Sequence, residues 1–165
     1  SLMIACHEIN GADIYFVTGN HEGYVGGFED LLERFAELNI QVLDDAAADL
    51  DGVNLIAVSD MQSPAAKALV VDSLYRADRF NIVLMHQPSI WLKTDSDIDL
   101  MLCGHTHNGQ IWPFNLLVRL QFRHVYGLFV EGVSNLYVSS GVGCWGPRMR
   151  LGSRNEIVMI ELRPV

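Results

Sequence analysis

Apolar residues along the chain gather in short continuous runs separated by polar, glycine-bearing loops, with helical spacing breaking in between them. The run "DIYFV", 13–17, enters "TGNHEG" and predicts a buried strand ending in a polar loop. Phe28, Leu31, Leu32, Phe35 and Leu38 then recur at helical spacing with charges between them, which predicts an amphipathic helix over 28–38. Strands are expected at 41–43 and 53–58. Ser63-Pro64 reads as a helix start, because serine can cap free amides and proline suits the first turn, and the helix should run to about Arg76. "FNIVLMH", 80–86, and "IDLMLC", 98–103, read as buried strands. This alternation argues for a layered α/β domain. From Gln110 onward the texture changes: "IWPFNLLVRLQFRHVYGLF" is apolar without clean periodicity, while "NLYVSSG" and "NEIVMIEL" read as sheet strands. No repeat, low-complexity tract or linker divides the chain, so 1–165 is read as a single domain.

Composition narrows this picture only a little. The 165 residues are 50% hydrophobic and 19% charged, an ordinary globular balance. A net charge of -9 leaves no basic face for a phosphate backbone, which disfavours nucleic acid as a partner. Cys6, Cys103 and Cys144 are odd in number and widely spaced, which argues against a disulfide framework and a cysteine-rich zinc site. No apolar run approaches the roughly 18 residues that span a bilayer, and the first residues lack the order of a signal peptide. The start, "SLMIACHEING", has no strand signal, so the chain is expected to begin inside a larger gene product.

Chemistry is sought where strands end, because ligands of layered α/β proteins bind at the carboxyl ends of strands. Three loops qualify: "GNHEG" (19–23), "MHQPS" (85–89) and "GHTHNG" (104–109). His105 and His107 stand at i and i+2, which on an extended backbone would put both rings on one side, as a zinc, manganese or iron site needs. Alone, the pair reads as well as one satisfied histidine at a strand end beside one exposed. His86 alone reads as a capped or core histidine, and an Asx turn accounts for Asn20.

Together the three loops say more. "GNHE", the strand-terminal histidine of "VLMHQP" and "GHTHNGQ", in this order, resemble the third, fourth and fifth signature motifs of the calcineurin-like metallophosphoesterases. The resemblance runs from about Ile14 to the C-terminus. "GHTH-x-GQ" with "SSGVGCWGPRMRLGSRNEI" is similar to a bacterial branch whose members are often membrane-tethered, which implies a cytoplasmic or membrane-associated place in a bacterium. The resemblance implies a layered α/β/β/α sandwich and two divalent ions, manganese, iron or zinc, that activate a hydroxide to attack phosphoric esters. By motif, Asn20, His86 and His105 would ligate one ion and His107 the other. His21 would act on the leaving oxygen or the transition state, with Glu22 orienting its imidazole. Asn108 replaces a glycine common in the family and suits the same turn.

The family's first two motifs, Asp-x-His and Gly-Asp-x-x-Asp, have no match upstream of "GNHE", where Cys6-His7-Glu8 is not Asp-x-His. The resemblance therefore implies an N-terminally truncated domain. In that reading the parent protein hydrolyses phosphodiester or pyrophosphate bonds in preference to monoesters, on a small-molecule or lipid-linked substrate. This segment alone would hold at most one ion weakly and be close to inactive, and exposed sheet edges would favour a homo-oligomer. The segment 111–129 either covers the sheet or forms an apolar lip making peripheral membrane contact, with Arg119 and Arg123 facing headgroups. The rivals are a non-catalytic metal-binding or scaffold domain, a nuclease of the same family and, at a distance, amide hydrolysis.

Overall fold

The computed structural model of the chain describes residues 12–22 and 28–163. Cys6, His7 and Glu8 lie outside them. Strand β1, Ile14–Phe16, pairs in parallel with β2, Ile40–Val42, through helix α1, Phe28–Glu37. Phe35 is buried and its ring lies 4.7 Å from that of Phe16, so the apolar stripe of α1 faces this small sheet as its spacing requires.

The remaining strands form one six-stranded sheet. They are β3, Ala46–Leu50; β4, Val53–Val58; β5, Phe80–Met85; β6, Leu100–Cys103; β7, Gly127–Glu131; and β8, Ser134–Val138, in the order β3-β4-β5-β6-β8-β7. Helix α2, Pro64–Leu74, links β4 to β5, and α3, Phe114–Gln121, precedes β7. The architecture is mixed α/β, a six-stranded sheet flanked by helices.

The four central strands, β4, β5, β6 and β8, run parallel. Parallel strands are covered on both faces, which explains why Leu55, Ile56, Ala57 and Val58 are all buried in sequence. Val58, Met85, Met101, Leu136 and Val138 join Val71 of α2 in the main core. Ser63 caps α2 as its position predicts, accepting from the Ala66 amide at 3.3 Å. Two buried asparagines lock the opposite end of the layer: Asn54 Nδ2 donates to Asn81 Oδ1 at 2.9 Å and to the Leu74 carbonyl at 2.9 Å.

Two elements depart from the sequence reading. The alanine-rich 46–50 carries no strand signal, yet it forms β3 as the antiparallel partner of β4. The missed cue is Asp51-Gly52, whose φ values of 46° and 97° make the tight hairpin turn that Asp-Gly favours. Conversely, "NEIVMIEL", read as a strand, has no regular structure, and Ile157 and Met159 are almost fully exposed. Alternation alone does not make a strand, because a strand needs a neighbour to take its backbone hydrogen bonds.

Candidate metal and phosphoester site

Parallel register decides what meets what. Val58 pairs with Met85, Leu84 with Leu102 and Cys103 with Val138, so the loops that leave β4, β5, β6 and β8 crowd onto one edge of the sheet. Backbone bonds continue the ladder into these loops: Gly104 N–H donates to His86 O at 3.0 Å and Ser139 N–H to Cys103 O at 2.8 Å. His86 and His105 are brought together there, with Nε2 of the first 3.0 Å from Nδ1 of the second.

The loop after β1 comes in over this pair. Gly19 has no Cβ, and one built there would stand 3.0 Å from the His86 ring, so glycine permits the close approach. Asn20 Oδ1 is buried without a hydrogen-bond partner. His21 is exposed and lines the same cavity as His86, His105 and His107. Glu22 Oε2 accepts from the Gly19 amide at 2.7 Å, which folds its carboxylate back on its own loop.

The extended geometry expected for the His-x-His pair does not occur. His105, His107 and Asn108 have φ values of 67°, 49° and 51°, and 107–109 forms a single turn of 3-10 helix. Asn108 does suit the turn. The two rings consequently take different partners. His107 turns Nδ1 to Nη2 of Arg150 at 3.3 Å, while Nη1 of Arg150 donates to the His107 carbonyl at 3.1 Å. A guanidinium only donates, so Nδ1 accepts and the proton of the neutral ring sits on Nε2.

Burial lowers the pKa of His86 and of His105, the latter to about 4, where the adjoining His86 adds to the effect. Burial and then Arg150 lower that of His107. These imidazoles are neutral at pH 7, the form that binds metal.

Among the described residues, Asn20, His86 and His105 are the donors that would hold a cation. His86 Nε2 and His105 Nδ1 are in hydrogen-bond contact, so one ring donates to the other, and an ion bound by both would take the place of that proton. The orphaned amide oxygen of Asn20 is an oxygen donor in the same cavity. His107, with its Nδ1 engaged by Arg150, offers no free lone pair in this arrangement. Among the described residues no group of three or more His, Cys, Asp or Glu is placed to hold an ion.

The cavity holding these groups measures about 520 Å³. Asn20, His21, His86, His105 and His107 line it together with Phe114, Leu117 and Val118 of α3 and with Trp145 and Pro147. The sequence reading missed the groups that hold this site in place. Asp60, two residues past β4, pairs with the buried Lys67 and accepts from Gln87 Nε2 at 2.7 Å, fixing the residue next to His86. Its signal was available, as a polar residue ending a fully buried strand. Arg150 also donates to the carbonyls of Ser140 and Gly143, at 2.7 and 2.6 Å, and no sequence spacing announces that.

A family model described as calcineurin-like phosphoesterase matches residues 2–109, well over half the chain. The chain belongs to this family. Metallophosphoesterases of this kind are metal-dependent hydrolases of phosphoric esters. Its relatives include an uncharacterized metallophosphoesterase of Campylobacter jejuni, 41% identical, aligned over 90% of this chain and 42% of its own length. One from Helicobacter pylori is 38% identical, aligned over 91% of this chain and 42% of its own. A transmembrane protein with metallophosphoesterase domain from Bos taurus is 35% identical over 90% of this chain and 38% of its own. The chain thus spans about two fifths of the length of these metallophosphoesterases. No solved structure matches it. Among the described residues no helix is long and apolar enough to cross a membrane.

Proposed function

We propose that the protein hydrolyses phosphoric esters, phosphodiester or pyrophosphate bonds in preference to monoesters, at the edge where His86 and His105 meet. The observation that carries this reading is the 3.0 Å spacing of two neutral imidazole nitrogens beside the orphaned Asn20 oxygen, in one cavity. Asn20, His86 and His105 would hold a divalent cation, manganese, iron or zinc. Such an ion supplies Lewis-acid polarisation of a phosphoryl oxygen.

The chain's own residues do the rest. Asp60, through Gln87, keeps the His86 loop in place. His21, exposed at the rim, is the group able to pass a proton to a departing oxygen, and Glu22 braces its loop. A cavity of about 520 Å³ leaves room for a group on each side of a phosphorus, which favours a diester or pyrophosphate over a monoester. By motif His107 would serve a second ion, a role that requires Arg150 to release the Nδ1 of His107.

The test is metal content by elemental analysis together with turnover of bis-p-nitrophenyl phosphate in added manganese, on this chain and on an N-terminally extended form. Metal and turnover that both disappear in His105→Ala support the proposal. Retained metal without turnover in either form favours a non-catalytic metal-binding domain.

A further inference from the structure

The cleft is lined by two chemically different sets of side chains, and only one is explained by phosphate chemistry. Beside the imidazoles stand Ile111, Phe114, Leu117, Val118, Phe122 and Trp145, and the apolar lining begins at the histidines themselves, the Phe122 ring lying 5.3 Å from that of His105. Helix α3 does not seal the sheet, since none of its residues is fully buried; Phe114 and Leu117 remain 46% and 57% exposed while lining the cavity. Leaving such side chains in water is unfavourable, and an apolar ligand would relieve it. Trp145 is held in place. The Trp145 ring stacks on that of Phe114, centroids 6.0 Å apart and planes 13° from parallel, and the Gln110 amide grips the Trp145 backbone. The volume is that of a drug-sized ligand, several times what a phosphoryl group fills.

We infer that the substrate is amphiphilic: a phosphoester whose phosphorus sits at the His86–His105 pair and whose hydrocarbon, acyl, prenyl or aryl, lies along α3 against Trp145. This rests on the reading of the histidine pair as the phosphoester site. The occupant is the ligand's own hydrocarbon, because the apolar walls and the imidazoles bound one continuous cavity.

Calorimetric titration of the metal-loaded protein with ethyl, butyl and octyl phosphate, each below its micelle-forming concentration, separates the two ideas. Affinity is expected to rise at least thirtyfold from ethyl to octyl phosphate. Leu117→Asn, at a half-exposed position, should flatten that rise. His105→Ala should weaken all three ligands and keep the dependence on chain length. A flat series in the wild type, or one that Leu117→Asn leaves unaltered, overturns the inference whatever the turnover. A steep series without hydrolysis of bis-p-nitrophenyl phosphate leaves it standing and overturns the hydrolase reading instead.

Discussion

The side-chain amide of Gln110 exchanges two hydrogen bonds with the backbone of Trp145, Nε2 donating to its carbonyl and Oε1 accepting from its N–H, both at 2.6 Å. Gln110 is buried, so these bonds are shielded from water. They tie the residue just past the histidine turn to another residue lining the same cleft, 35 positions along the chain. Gln110→Ala leaves one backbone donor and one acceptor without partners and should cost about 2–3 kcal/mol. Urea denaturation measures it; a loss under about 0.5 kcal/mol would show that water replaces the amide.

Asp60 and Lys67 form an ion pair with both side chains almost wholly buried. Removing one partner strands the other, so Asp60→Ala should destabilise by about 3–5 kcal/mol. The double change Asp60→Leu with Lys67→Met should cost clearly less than the sum of the single changes. An additive result in the double-mutant cycle would contradict the coupling.

If Asn20, His86 and His105 hold a cation, their neutrality leaves its charge uncompensated. Asn20→Ala and His86→Ala should each weaken manganese or zinc binding more than tenfold, whereas Asn20→Asp, which adds a negative charge, should tighten it. Equal affinities across the three variants, by calorimetry, would remove these residues from the site.

Glu156 pins the irregular C-terminal segment, accepting from the Ser140 amide at 2.8 Å and the Tyr126 hydroxyl at 2.9 Å. Burial pushes its carboxyl pKa up, but these hydrogen bonds outweigh that and hold it below its ordinary 4.5. A depressed carboxylate contributes stability that is fully present above its unfolded pKa and lost as pH falls through the folded value. Glu156→Gln should therefore lower the melting temperature more at pH 7 than near pH 3. A loss that does not shrink on acidification would mean that the charge is irrelevant.

Apolar exposure continues outside the cavity, at Leu120 of α3, 84% exposed, and at Trp112 just before the helix, 61% exposed. Arg119 and Arg123 are the only Lys, Arg, Asp or Glu between 111 and 129, in a chain of net charge -9. We propose that this segment makes peripheral contact with anionic lipid. Vesicles rich in phosphatidylglycerol should sediment the wild type, and Trp112→Ser with Phe114→Ser should release it. Unchanged binding in the double variant would sink the idea.

Strand and helix positions that depend on local pattern were legible. The continuous runs at 53–58 and 80–85, the Ser63 cap and the stripe of α1 all lie where spacing puts them. The failures have a common cause. Strand β3 exists because Asp51-Gly52 turns it onto β4, and "NEIVMIEL" stays irregular because no described strand lies alongside to pair with it. Both are decided by a neighbour rather than by the segment itself.

The sequence by itself determined the family, from three loops of distinctive residues in a set order, and it named the side chains of the candidate site, because ligand chemistry depends on residue type. Only the tertiary structure decided how they are shared out. Parallel register sets His86 against His105, left-handed backbone at His105, His107 and Asn108 turns His107 away to Arg150, and α3 lays its apolar side along the cleft. Those outcomes depend on contacts between residues far apart in the chain, which spacing does not encode.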